Sequence, residues 1–135
     1  MKIFTTTLVL VTAMALFGDA EAQPKIPPKY HAAPLEIAQL PKYCWAQYVD
    51  GAYFGHPIYS IPAICGPYTN HYCPALVSLT RSTQLSRSKS QRNEDIWHAA
   101  KEVRYTLNYI KPDCPIYPDV KAAQMRAEAM EKFAK

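Results

Sequence analysis

The sequence predicts an all-α fold: two antiparallel helix hairpins braced by disulfides, with a proline-rich arm ahead of them and a long aromatic loop inside. Three observations predict it. Near the C-terminus two segments repeat apolar residues at alternating spacings of three and four, which is the period of a helix with one buried face. Four cysteines stand in a chain of only 135 residues, an even count that reads as a disulfide framework. Strand patterning is absent except around Tyr59 to Ile64, where Pro57 and Pro62 argue against a sheet.

Composition bounds the answer before any element is placed. At 135 residues and 15.3 kDa the chain allows one domain and excludes a multidomain enzyme. Ten tyrosines and 49% hydrophobic residues exclude a fully disordered chain, and four glycines exclude a collagen-like one. Residues 1–22 read as a secretory signal peptide. Lys2 supplies the positive charge, Ile3 to Gly18 is apolar, and Ala20-Glu21-Ala22 presents small residues for cleavage before Gln23. The apolar run has about 16 residues, short of the ~20 that span a bilayer. Cleavage would leave residues 23–135 with 14 basic and 9 acidic side chains, a mildly basic +5. The expected compartment is periplasmic or extracellular.

Residues 23–34, QPKIPPKYHAAP, form the arm: Pro24, Pro27, Pro28 and Pro34 favour extended, polyproline-like backbone. Residues 35–135 form the helical domain. Its first helix is placed at 41–49, with Pro41 in the first turn. Residues 50–69 hold Gly51, Gly55, Gly66 and three prolines, so they read as a long loop, apolar enough to be ordered or functional. The second helix, near 72–85, accepts Pro74 in its first turn. Residues 82–92, serine-rich and basic, read as solvated loop. The third helix, 94–110, is assigned an Asn93 cap, an apolar stripe of Ile96, Ala100, Val103, Leu107 and Ile110, and a stop at Pro112. The fourth, 118–134, starts at Pro118 and repeats Val120, Ala123, Ala127, Met130 and Ala134. The expected pairs are 41–49 with 72–85 and 94–110 with 118–134.

Cys44, Cys65, Cys73 and Cys114 are separated by 21, 8 and 41 residues. No C-x-x-C pair exists for a redox motif, a c-type haem or a close metal-ligand pair. Two structural disulfides are expected, and three pairings are open. Cys44 with Cys73 would tie two neighbouring helices, and Cys65 with Cys114 would then pin the loop before the second helix to the turn after the third.

Two resemblances bear on this. Ala100, Leu107 and Pro112 fall where the second helix of a tetratricopeptide repeat places a small residue, an apolar residue and a closing proline. The likeness covers residues 72–133. Arg104 stands where that repeat has an aromatic, and the WxxLGxxY signature is missing. The segments YCWAQY (43–48) and NHYCPALVSLTRS (70–82) resemble small exported bacterial proteins of unknown function. Those combine a Leu-Pro-x-aromatic-Cys segment with a His-Tyr-Cys helix and degenerate tetratricopeptide-like helices. The likeness implies the fold and the compartment, and it favours pairing Cys44 with Cys73.

Candidate functional residues fall in three groups. Tyr43, Trp45, Tyr48, Tyr53, Phe54, Tyr59, Tyr68 and Tyr72 crowd into 30 residues. Of these Trp45, Tyr48, Tyr53, Phe54, Tyr59 and Tyr68 are the expected partner-binding set, because Tyr and Trp concentrate binding energy; core packing is the competing role. Arg81, Arg87, Lys89 and Arg92 are four bases in 12 residues without an acid, a candidate site for an anionic or membrane surface, against the competing role of a solvated loop. His71 and His98 are the only candidates for catalysis or metal. No H-E-x-x-H, G-x-S-x-G or paired-carboxylate pattern accompanies them. The reading these features support is an exported, non-catalytic interaction module or accessory subunit. It would bind a protein partner and use no cofactor, catalytic group or nucleic acid. The rivals are a metal- or haem-associated protein or enzyme using His71 and His98, and a small basic secreted effector.

Overall fold

The computed structural model describes residues 31–49, 53 and 55–134, and these are helical with no strand among them. Residues 1–22, expected as a signal peptide, most of the expected arm, Phe54 and the start of the long loop lie outside the described residues. Four α-helices follow one another: α1 (Pro34–Gln39), α2 (Tyr72–Arg81), α3 (Lys89–Tyr109) and α4 (Tyr117–Phe133). Three 3₁₀ turns, Lys42–Gln47, Ala63–Cys65 and Thr69–His71, link α1 to α2.

The first expected helix is different in kind. Residues 42–47 are 3₁₀ and not α, and the Ala46 N–H leaves the helical pattern to donate to the Tyr59 carbonyl at 3.0 Å. A separate α-helix precedes them. Pro34, assigned to the arm, is instead the first residue of α1, where its missing N–H costs nothing. Glu36 then accepts from the Ala33 N–H at 2.7 Å, which satisfies one open donor of the helix start.

Helix α3 begins five residues earlier than its expected first residue, Glu94. Ser88 caps it by accepting from Gln91 N–H at 3.2 Å, while Gln91 accepts from Ser88 N–H at 2.9 Å. This reciprocal capping box satisfies two donors at once. Asn93, read as the cap, lies inside the helix and donates to the Ala134 carbonyl at the end of α4, at 2.7 Å.

Helix α3 is central and packs against both α2 and α4. The seams are lined by small residues. Ala75 on α2, Ala99 and Ala100 on α3, and Ala123 and Ala127 on α4 are buried, so the helices approach closely around Leu79, Val103 and Val120. The α3 stripe is buried at Ile96, Ala100, Val103 and Ile110, joined by Ala99 and Thr106, whereas Leu107 is half-buried. A smaller core of Leu40, Cys44, Tyr48, Cys73 and Val77 holds α1 and the first 3₁₀ turn against α2.

Of the three pairings open to the sequence, the structure forms Cys44–Cys73 and Cys65–Cys114. The first fastens the 3₁₀ turn to α2. The second fastens the loop to the α3–α4 connection, and Lys111 N–H donates to the Cys65 carbonyl beside it at 3.3 Å. Gly66, at φ +95, lets the chain turn immediately after Cys65, a backbone state that a side chain would strain. All four cysteines are consumed. Two disulfides fit an oxidising, periplasmic or extracellular compartment. No described helix is long and apolar enough to cross a membrane.

Candidate interaction site

The bridge Cys44–Cys73 places Trp45 at the outer edge of the smaller core. Its indole N–H donates to the Leu40 carbonyl at 3.3 Å, which fixes the ring. Two rings from the long loop gather on it. Tyr59 stacks on Trp45 at 5.7 Å, Tyr53 meets Trp45 edge-on at 6.1 Å, and Tyr53 and Tyr59 lie 4.3 Å apart. His56 adds a fourth ring 4.9 Å from Tyr59. Two hydrogen bonds hold the loop in this shape, the Ser60 hydroxyl donating to the Tyr53 carbonyl at 3.2 Å and the Ala46 N–H to the Tyr59 carbonyl. Trp45, Tyr53 and Tyr59 are half-buried, His56 is exposed, and Ile58 beside them is 57% exposed. Loop and 3₁₀ turn thus form one aromatic knob with an apolar side chain next to it.

The other expected partner-binding residues divide. Tyr48 is 7% exposed and belongs to the smaller core with Val77, so it serves packing and not a surface. Tyr68 is exposed but sits elsewhere, in a second ring cluster on α3. It meets Tyr105 edge-on at 5.9 Å and Tyr109 at 4.8 Å, and His71 packs on Tyr105 at 4.4 Å. Exposed Ile64 precedes it in the same loop. Tyr105 and Tyr109 were not singled out from the sequence. Their four-residue spacing on α3 was the available signal.

Two members of the basic group are paired with acids. Arg81 is bidentate on Glu36, at 2.7 and 2.8 Å, and also donates to the His31 carbonyl at 3.1 Å. Arg87 is bidentate on buried Asp95, at 2.7 and 3.3 Å. Arg92 turns back on the Arg87 carbonyl, and Lys89 is exposed in the first turn of α3. Acids outside the 12-residue run meet two of the four charges, Glu36 from 45 residues away and Asp95 from 8. The hydrogen bonds from Arg81 hold the Glu36 carboxyl well down, from 4.5 to about 2.

His71 and His98 line one cavity of about 300 Å³ between α2 and α3, with Ser78, Arg81, Asp95 and Glu102. His71 is paired through Nδ1 with Glu102, and His98 lies 3.8 Å from Glu94 one turn before it. Among the described residues no three His, Cys, Asp or Glu side chains converge as a metal ion would require.

A groove of about 480 Å³ runs between α2, α4 and the end of α1. Leu40, Leu76, Leu79 and Ala123 give it apolar walls. Tyr43 and Tyr72 stack at 6.5 Å on its floor, and the Tyr43 hydroxyl donates to Asp119 at 3.2 Å. Burial, ahead of the neighbouring charge of Asp119, pushes the Tyr72 hydroxyl up to about 12 and Tyr43 higher still. Both therefore remain protonated donors.

Comparison of the chain with protein-family models, with curated proteins and with solved structures finds no match in any of the three.

Proposed function

We propose that the chain is an exported, non-catalytic helical protein that acts as an interaction module or small accessory subunit of a larger assembly. The observation that carries this reading is the Trp45–Tyr53–Tyr59 knob. Two of its three large aromatic rings come from a loop, and they sit in a fixed arrangement beside exposed Ile58. Rigid aromatic groups of this kind lose little entropy on binding and anchor protein interfaces. The disulfide at Cys44 ties the knob to α2, so it is presented preformed. The second cluster, Tyr68, Tyr105 and Tyr109, supports the same reading from the other side of the loop. The α3–α4 pair is the portion that a tetratricopeptide-like unit would supply, and such helices commonly serve as frames for recognition. Signal-directed export, with cleavage before Gln23 and a periplasmic or extracellular destination, completes the proposal.

The test is affinity capture from periplasmic extract with the chain 23–135, the same chain lacking 23–34, and a Tyr59→Ala, Ile58→Ser variant. A protein recovered by the first and lost with the knob variant supports the reading. Recovery of nothing by any of the three overturns it. Elemental analysis of the purified protein returning a stoichiometric metal would instead revive the role of His71 and His98.

A further inference from the structure

Three large apolar side chains stand in solvent at one end of the bundle, where the α2–α3 connection, the start of α3 and the end of α4 meet. Leu85 in the connection is 94% exposed, Phe133 at the end of α4 is 87% exposed, and Trp97 on α3 is 51% exposed. Two hollows, of about 560 and 380 Å³, lie along the α3–α4 seam and share Asn93, Ile96 and Ala134. Trp97 lines the larger and Phe133 the smaller, so the two rings belong to one continuous surface. Ser82 and Lys89, on either side of Leu85 in the chain, line the smaller hollow as well. Asn93 donates to the Ala134 carbonyl at 2.7 Å, which holds the end of α4 against the start of α3.

The charge around these side chains is mainly positive. Lys89, Arg92, Arg104 and Lys132 line the hollows, against Glu128 and Glu131. Arg104 takes Glu131 at 2.9 Å, and the Gln124 amide donates to Glu128 at 2.8 Å. Among the described residues no acid pairs with Lys89, Arg92 or Lys132. Lys101 adds a cation over the Trp97 ring at 5.2 Å, and Glu94 one turn before it faces His98 at 3.8 Å. Lys89 is not explained by its helix. It stands in the first turn of α3, where the dipole favours an acid and none is present.

We propose that this end of the molecule docks on an anionic phospholipid surface, with Leu85, Trp97 and Phe133 entering the headgroup layer and Lys89, Arg92 and Lys132 against lipid phosphates. Large apolar side chains set among bases are the composition that holds proteins at a membrane interface, and tryptophan settles at headgroup depth. The three side chains come from three segments, so they enter a fluid layer together without a shaped counterpart. An acidic protein would need a recess for each of them. No described helix is long and apolar enough to cross the membrane, so the contact is peripheral. The aromatic knob is tied through Cys73 to the start of α2, whereas this surface lies past the end of α2 at Ser82. Membrane contact therefore does not depend on the partner proposed for the knob.

The test is co-sedimentation of the chain 23–135 with vesicles of phosphatidylcholine alone and of phosphatidylcholine with about one-third phosphatidylglycerol. The expected result is binding to the mixed vesicles, weakened by salt, and little to phosphatidylcholine alone. A cation near such a surface is worth about five-fold in partitioning, so Lys89→Gln, Lys132→Gln should bind about 25-fold more weakly. Leu85→Ser, Phe133→Ser should lose at least about ten-fold. All four side chains are exposed, so both variants keep the parent's helix content by circular dichroism. Lys111→Gln, Lys121→Gln removes the same charge from the opposite ends of α3 and α4 and should bind as the parent does, as should the knob variant Tyr59→Ala, Ile58→Ser. No binding to the mixed vesicles, equal binding to both kinds, or an equal loss in either control overturns the proposal. A dimer that Leu85→Ser, Phe133→Ser dissolves, with no vesicle binding by the parent, would overturn it too and assign the surface to a second copy of the chain.

Discussion

Replacing Glu36 by Gln tests what holds α1 in place. Six residues are too few for a stable helix alone. Glu36 is 8% exposed and accepts from both nitrogens of the Arg81 fork, from Ala33 N–H at 2.7 Å and from Gln84 at 3.4 Å. These bonds, led by Arg81 and opposed by burial, lower its pKa from 4.5 to about 2. At about 1.4 kcal/mol for each tenfold change in proton affinity, the ceiling is about 3 kcal/mol of stability. Arg81 is 29% exposed at its side chain, so screening reduces the measured value toward about 2 kcal/mol. A lowered folded-state pKa fixes the sign. The contribution is fully present above pH 4.5 and is lost as pH falls toward 2. Denaturant unfolding of the parent and Glu36→Gln, followed by circular dichroism from pH 7 to pH 2, measures it. The gap between the two stability curves should be widest at neutral pH and narrow by about 2–3 kcal/mol through that window. Parallel curves, with no narrowing below pH 5, would refute the assignment.

Three further outcomes follow from the fold. Ser88→Ala removes the capping box of α3 and should cost about 1 kcal/mol, with faster amide exchange confined to the first turn; unchanged exchange there would count against the cap. Leu79→Ala, at 1% exposure, should lose about 2–5 kcal/mol by denaturant titration, whereas Leu85→Ala, at 94%, should stay within about 0.5 kcal/mol. Replacing Cys65 and Cys114 by Ala opens a closure of 49 residues, worth about 4 kcal/mol in the chain-entropy account and on the order of 20 °C in calorimetric Tm. An unchanged Tm would show that the bridge carries little of the stability.

The helices with the strongest period were legible. The stripes of α3 and α4 read correctly at Ile96, Ala100, Val103, Val120, Ala123 and Ala127, because burial on one face imposes the spacing directly. The boundary of α3 was missed because Ser88 and Gln91 sit in a serine-rich basic run, where composition outweighed the S-x-x-Q pattern. The 3₁₀ turn at 42–47 was not legible as such, since a carbonyl at Tyr59 diverts its backbone and no local pattern encodes that bond. The site was half legible for the same reason. Aromatic crowding pointed to Trp45, Tyr53 and Tyr59, but the inward turn of Tyr48 depends on packing against Val77. The partners Glu36 and Asp95, which meet Arg81 and Arg87, stand 45 and 8 residues away in the chain. Charge runs show which side chains are basic and not which acids the fold will bring to them.

The two bridges overlap along the chain, because Cys65 lies between Cys44 and Cys73, and Cys73 lies between Cys65 and Cys114. Any single backbone cut from residue 45 to residue 113 therefore leaves both pieces covalently joined. A protease that nicks the connection between α2 and α3, or the loop before α2, yields two fragments only after reduction. Outside that span no covalent tie holds the chain: α1 depends on its contact with Arg81, and α4 on its seam with α3 and the Arg104–Glu131 pair. Damage to this molecule by extracellular proteases should thus begin as trimming from its two ends, while the aromatic knob stays attached to its frame.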